Sequence, residues 1–300
     1  MARIQNRRLI AAFAIAPAFA AGLPEKVQEL LESSPIAARA FVGIRIDTVA
    51  GETLVDHNAD RFFVPASNMK LFTTALALLR LGPDHRFHTL ITAPAPPDST
   101  GRLRGPLTFA GGGDPNLSGR EIPYRVDAPR GNPLAALDDL AAQVYARGVR
   151  RVDGDIVGDD TLWPFDPIAA GWTIDDPLND YGAPVSALSI GDNTITLTLG
   201  PGDPAHITLN PPVDYFHIDN RVREGAPQRI RLERDPGSRF LRVWGLLPPR
   251  NAGETHRIAV DDPALFAAVA LRDALTRRGV AVHGEPAARH HFPSDPAPAT

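Results

Sequence analysis

Val64-Pro65-Ala66-Ser67-Asn68-Met69-Lys70-Leu71-Phe72-Thr73-Thr74-Ala75 is the stretch on which the reading of this chain turns. The apolar residues Leu71, Phe72, Ala75, Leu76, Leu78 and Leu79 predict a helix over Ser67 to Leu81, with Pro65 ahead of its first turn and Gly82-Pro83 as its stop. Ser67 and Lys70 are three apart, so a helix carries both on one face. Ser67 falls in the first turn, where the helix dipole and free N–H groups favour negative charge. Lysine is scarce in this chain, two against 29 arginines. Arginine replaces lysine where only a positive charge is wanted, but not where the group must give up its proton. A serine hydroxyl becomes a nucleophile when a base takes its proton, and a lysine amine can be that base where burial or a nearby cation lowers its pKa. Two readings stay open on the residues alone. One is a serine nucleophile with a lysine base in an apolar surround. The other is coincidence, since Ser-x-x-Lys arises about once in a chain of this size. Thr73 and Thr74 are expected to bond back to carbonyls one turn earlier and carry no role.

The 300 residues suffice for one large domain or two smaller ones. Arg3, Arg7 and Arg8, the short apolar run Leu9 to Phe19, and Ala18-Phe19-Ala20 read as an export signal over residues 1–20. Losing those three arginines takes the net charge from -4 to -7. An acidic chain has no global attraction to nucleic acid, so no nucleic-acid partner is expected. No later segment is apolar and long enough to span a membrane. There is no cysteine, hence no disulfide, thiolate metal site or cysteine nucleophile. A bacterial periplasm or cell exterior fits these features.

Outward from the helix, Val27 to Leu31 reads as the end of a short helix. Ala40 to Asp47 and Glu52 to Asp56 read as a hairpin turning at Ala50-Gly51. From about Pro94 glycines and prolines multiply, and short strands are predicted at Leu107 to Ala110, Arg151 to Gly158, Thr194 to Leu199, Ala205 to Leu209, Gln228 to Glu233 and Phe240 to Leu246. A helix over Pro133 to Arg147 interrupts them, and an amphipathic helix over Pro263 to Arg278 follows. The tail from His283 is polar and proline-rich, so His290-His291 is read as chance proximity in a floppy segment. The class is α+β.

Gly111-Gly112-Gly113-Asp114-Pro115 lacks the lysine and hydroxyl of a phosphate loop and reads as a tight structural turn. The pairs Asp159-Asp160, Asp175-Asp176 and Asp261-Asp262 read as helix caps or solvated carboxylates. No spacing supplies convergent metal ligands, so neither metal nor cofactor is expected. A Ser-His-Asp triad is defined by geometry and stays open, although no Gly-x-Ser-x-Gly elbow is present.

The residues 64–75 resemble the active-serine segment of the D-alanyl-D-alanine carboxypeptidase/endopeptidase family, the low-molecular-mass class C penicillin-binding proteins of the penicillin-binding protein 4 type. So do Gly111-Gly112-Gly113-Asp114-Pro115-Asn116-Leu117, Gly158-Asp159-Asp160-Thr161-Leu162-Trp163, and Tyr181-Gly182-Ala183-Pro184-Val185-Ser186-Ala187-Leu188. Asp262-Pro263-Ala264-Leu265-Phe266-Ala267-Ala268 matches the start of a helix that re-enters the catalytic domain. The five matches run in order over roughly residues 25 to 285. The resemblance implies a penicilloyl-serine-transferase fold: residues 21–93 as the first part of a catalytic domain, 94–258 as a β-rich insertion, and 259–300 as the return. It implies that Ser67 attacks the carbonyl between two D-alanines of a peptidoglycan stem peptide, that Lys70 is the base, and that β-lactams acylate the same serine. It also implies that Asp160, with Trp163 nearby, binds the side chain of the peptide's third residue, and that the Ser67 N–H helps hold the oxyanion.

This fold's chemistry also uses Ser-x-Asn and Lys-Thr-Gly elements, and neither occurs in these 300 residues. In the family both lie beyond the re-entrant helix, so the chain is read as stopping partway through its catalytic domain, with poor or no hydrolysis expected of it. The alternatives are a β-lactamase or esterase using the same pair, and a non-catalytic wall-binding or scaffold protein. The long insertion and the Gly-Gly-Gly-Asp-Pro segment argue against the first.

Overall fold

The computed structural model describes residues 22–128, 131–168, 170–250 and 253–296, so the expected export signal lies outside the described residues. Contacts divide the chain into two compact units, one ending at His85 and the other beginning at Arg86.

In the first unit, helix α1 (Leu23–Ser33) starts with Pro24 in its first turn and Glu25 at the positive end of its dipole. Its end lies two residues beyond the expected Leu31, and Gly22 in the left-handed region (φ 89°) lets the chain turn into its start. Strands β1 (Ile44–Asp47) and β2 (Thr53–His57) form the expected antiparallel hairpin, with Ile46 opposite Val55. Arg45 bridges it, donating to Asp47 at 2.8 Å and to Asp56 at 2.6 Å. Helix α2 (Met69–Leu81) follows a 3-10 turn over Ala66–Asn68, and Gly82 at φ 81° ends it. Among residues 22–85 only Val55 is buried.

The second unit holds the described core. Strands β3 (Leu90–Thr92), β4 (Arg102–Leu103) and β5 (Leu107–Ala110) precede helix α3 (Ala135–Ala146) in the chain, and β6 (Arg151–Val152) and β7 (Ile156–Pro164) follow it. Next come β8 (Thr194–Gly200), β9 (His206–Asn210), β10 (His217–Glu224), β11 (Arg229–Glu233), β12 (Phe240–Leu247) and β13 (Glu254–Ala259). Helix α4 (Pro263–Arg277) and strands β14 (Ala281–Val282) and β15 (Pro286–His291) complete it. The main sheet has the order β15-β7-β5-β3, with β5, β7 and β15 parallel. Parallel neighbours require long crossovers, and the segments carrying α3 and α4 supply them. A short parallel sheet, β14-β6-β4, and two further three-stranded sheets, β13-β8-β9 and β10-β12-β11, account for the remainder.

The β8 strand shows why the alternating pattern was readable. Ile195, Leu197 and Leu199 are fully buried, while the threonines between them occupy the other face. Helix α4 is buried almost all round, and ten of its fifteen residues are in the core. It packs on β7, β15 and α3. The approach is close: a Cβ on Gly158 would lie 1.9 Å from the Ala264 carbonyl oxygen, so only glycine fits there. The residues from Pro263 onward therefore pack with β3 to β13.

The tail from His283 is the main correction. The segment read as floppy contains β15, which lies parallel to β7 in the register Pro286↔Ile156 to Arg289↔Asp159. Its order comes from a pairing 130 residues distant in sequence and from the burial of His290, neither of which a local pattern reveals.

Candidate functional site

Ser67 sits in the 3-10 turn that leads into α2, at the positive end of the helix. Ala66 before it has φ 44°, a left-handed conformation unusual for a residue with a Cβ. Lys70, one turn on, donates from Nζ to Ser67 Oγ at 2.7 Å. That separation is short enough for a proton to pass between the hydroxyl and an uncharged amine. The two residues are brought together as the sequence spacing requires. The apolar surround expected for the amine is a different matter: among the described residues Ser67, Lys70 and the α2 side chains are all exposed. Thr73 and Thr74 bond back to the Met69 and Lys70 carbonyls at 3.2 and 2.7 Å, as expected.

The glycine segment is structural but is not itself the turn, which falls on 115–118, and its three residues admit three different neighbours. A Cβ on Gly111 would meet the Ala187 carbonyl at 2.3 Å. One on Gly112 would meet the His88 carbonyl at 1.9 Å, and one on Gly113 the Trp163 ring at 2.8 Å. Gly111 N–H donates to Asp159 O and Gly113 N–H to Ala187 O, at 2.9 and 2.8 Å. Three of the sequence segments singled out above are thus packed on one another. Trp163 keeps 41 % of its surface exposed against Gly113.

Asp160 is only 3 % exposed. Its Oδ2 accepts from the Ser186 hydroxyl at 2.9 Å, and its Oδ1 faces His290 Nδ1 at 2.8 Å. The other ring nitrogen of His290 lies 3.3 Å from Asp262 Oδ2, and the imidazole stacks on Phe165 at 3.9 Å between centroids. Asp262 is also the N-cap of α4, accepting from the Leu265 N–H at 2.8 Å. One imidazole therefore ties β7, β15 and the start of α4 together. Next to it, Asp261 accepts from the Tyr215 hydroxyl at 2.8 Å and lies 3.7 Å from Arg234 Nη1. Burial beside Asp261 holds the Tyr215 phenol protonated, and burial lowers the Arg234 pKa from its ordinary value. A cavity of about 420 Å³ opens beside this cluster, lined by Phe165, Ile168, Pro184, Arg234, Asp262 and His290.

Sequence reasoning missed His290, Tyr215 and Arg234 and left Asp262 as a cap alone. A usable signal was present: Asp160 stands in the apolar strand Ile156–Pro164, and a buried carboxylate requires a donor or a cation. Among the described residues no group of three or more acidic or histidine side chains is placed to hold a metal ion. No helix among them is long and apolar enough to cross a membrane.

His290 also sets a pH dependence. Burial disfavours its charged form, but hydrogen bonds and charge from Asp160 and Asp262 outweigh this and raise its pKa to about 9. A pKa raised above its unfolded value of about 6.5 gives stability that is complete below pH 6.5 and lost as pH rises through about 9. Thermal unfolding between pH 6 and pH 10 should show the midpoint falling over that upper range. A midpoint flat from pH 7 to pH 10 would contradict the doubly paired imidazole.

Comparison with known proteins agrees with this architecture. The family model described as D-Ala-D-Ala carboxypeptidase 3 (S13) matches residues 23–295. A D-alanyl-D-alanine carboxypeptidase of Actinomadura sp. (strain R39) is 33 % identical over 275 residues, covering 88 % of this chain and 48 % of that protein. The D-alanyl-D-alanine carboxypeptidase DacB of Haemophilus influenzae is 26 % identical over 178 residues, covering 59 % of this chain and 33 % of its own. The crystal structure of penicillin-binding protein 4 from Haemophilus influenzae superposes with a TM-score of 0.71 at 20 % identity, over 90 % of this chain and 56 % of that one. The chain thus spans about half the length of these relatives or less. The superposition shows an α+β penicilloyl-serine-transferase fold, and the match over residues 23–295 shows that the chain belongs to the D-Ala-D-Ala carboxypeptidase 3 (S13) family.

Proposed function

We propose that this protein is part of a serine-type D-Ala-D-Ala carboxypeptidase/endopeptidase that acts on peptidoglycan stem peptides in the periplasm and is acylated by β-lactams. The observation that carries the reading is the 2.7 Å contact between Lys70 Nζ and Ser67 Oγ at the start of α2, in a chain of this family. Lys70 takes the hydroxyl proton as Ser67 Oγ attacks the penultimate carbonyl. The tetrahedral oxyanion forms at the positive end of α2, and collapse returns the proton to the departing D-alanine. Water then attacks the acyl-serine by the same path in reverse. Residues 21–93 and those after 259 belong to the catalytic domain in this reading, with 94–258 inserted between them. Trp163 offers its exposed indole to a substrate side chain. Asp160, buried and bonded at both oxygens, acts as a positioning residue through Ser186 and His290.

The exposure of Lys70 favours a second reading, a wall-binding protein without turnover, because an amine acts as a base where water is excluded. Incubation with a fluorescent penicillin, followed by denaturing electrophoresis and mass spectrometry, separates the two. The expected result is one adduct on the peptide containing Ser67, absent in Ser67→Ala. Folded protein that takes up no label would favour the second reading, and label elsewhere would reject Ser67 as nucleophile.

A further inference from the structure

The sheet β10-β12-β11 has one face in the core and one in solvent. Val222, Leu241, Val243 and Leu247 are buried on the inner face. The outer face is built in cross-strand rows, because register places Arg221 and Arg231 on either side of Trp244. The next row sets Arg223 and Arg229 on either side of Leu246, and the row on the other side sets Asp219 and Glu233 around Arg242. Five arginines thus share this face with two acids, in a chain whose net charge is -4.

The ion pairs on it are unevenly spread. Arg242 and Arg221 both bond Asp219, at 3.0 and 2.9 Å, and Arg242 lies 3.8 Å from Glu233. Arg223 reaches Asp203 at 3.2 Å. Arg229 and Arg231, on the edge strand β11, have no ion-pair partner among the described residues. Trp244 is 39 % exposed and Phe240 49 % exposed, both large apolar rings turned outward on the central strand. They stand four residues apart on the same face, about 13 Å along the strand, far enough to meet two separate rings of an extended polymer rather than one small molecule. An exposed indole flanked on one side by Arg231, with no counter-charge among the described residues, and on the other by Arg221, which shares Asp219, matches a ligand with flat apolar faces and spaced anions.

We propose that the outer face of β10-β12-β11 binds an anionic glycopeptide polymer, sugar rings against Trp244 and Phe240 and carboxylates on Arg229 and Arg231. This partner rests on the reading of the protein as one that works on peptidoglycan, whose strands carry sugars and peptide carboxylates together. The face would hold the strand independently of whether Ser67 has reacted, as an anchoring surface in addition to the active serine.

Co-sedimentation of the chain with purified insoluble peptidoglycan tests this. The parent protein and Ser67→Ala should pellet alike. Trp244→Ala and the double variant Arg229→Glu/Arg231→Glu should each bind roughly tenfold more weakly. Binding should also weaken between 50 and 500 mM salt, as exposed charge contacts are screened. All the substituted residues are solvent-facing, and far-UV circular dichroism checks that each variant folds. Undiminished pelleting of the variants overturns the proposal. So does equal binding to chitin, which has the sugars without the carboxylates, or tighter binding to anionic lipid vesicles or single-stranded DNA. Penicillin labelling read in the same samples keeps the two ideas apart. Labelling without pelleting sinks this proposal alone, and pelleting without labelling sinks the role of Ser67 alone.

Discussion

Lys70→Arg is expected to slow acylation of Ser67 by a fluorescent penicillin on the order of 10³-fold, with little change in stability. The substitution keeps a positive charge and a long unbranched side chain of equal helix preference on an exposed helix. Hydrogen bonding to Ser67 Oγ remains within reach of a guanidinium. What disappears is the capacity to accept a proton, because the guanidinium keeps its own throughout the accessible pH range. The measurement is the second-order rate of label incorporation in parent and variant under the same conditions. A parent-like rate in the arginine variant would remove Lys70 from the base's role and leave it as a charge beside the serine. A reaction that needs an uncharged nitrogen distinguishes these two cations in this way, and a chain that uses arginine nearly everywhere else keeps lysine at this position.

The second large effect concerns the fold. His290→Ala should lower stability by about 3–5 kcal/mol, the usual consequence of removing one partner from a buried ion pair. For a body of this size that corresponds to a fall of roughly 10 °C in the thermal midpoint. The cause is the pair of carboxylates left behind: Asp160 is almost completely enclosed, and Asp262 would retain the Leu265 N–H but lose the imidazole. The stack on Phe165 is lost as well. A midpoint within 2 or 3 °C of the parent at neutral pH would mean that water or a neighbouring side chain fills the gap without strain.

Much of this was legible from local pattern. The helix over residues 69–81 followed from its apolar run and its glycine stop. The hairpin followed from a turn between two short alternating runs, and β8 from strict alternation of threonine with large aliphatics. The serine–lysine contact followed from helical geometry alone. What stayed hidden depends on partners distant in sequence. Strand β10 is mostly polar, and its pairing with β12 along the whole of its length decides that it is a strand. Strand β15 looked like a tail because its register comes from β7, and His290 looked idle because both of its carboxylates lie at least 28 residues away. The acidic pairs were read as surface features since adjacent carboxylates usually are. Here the pleat of β7 turns Asp160 inward, while Asp159 on the opposite face pairs with Arg289 at 3.1 Å. The described residues also do not supply the expected apolar setting of Lys70, since its neighbours on α2 are exposed.

Gly111, Gly112 and Gly113 each give way to a different piece of the chain, and that has a consequence for how such proteins are detected. A descendant could lose its nucleophile entirely and still be obliged to retain these three residues, since an added methyl at any of them would prise apart the body they lock. Within this family, these three glycines would therefore mark intact scaffolds, working and retired alike, and a census of living enzymes would have to begin at the serine.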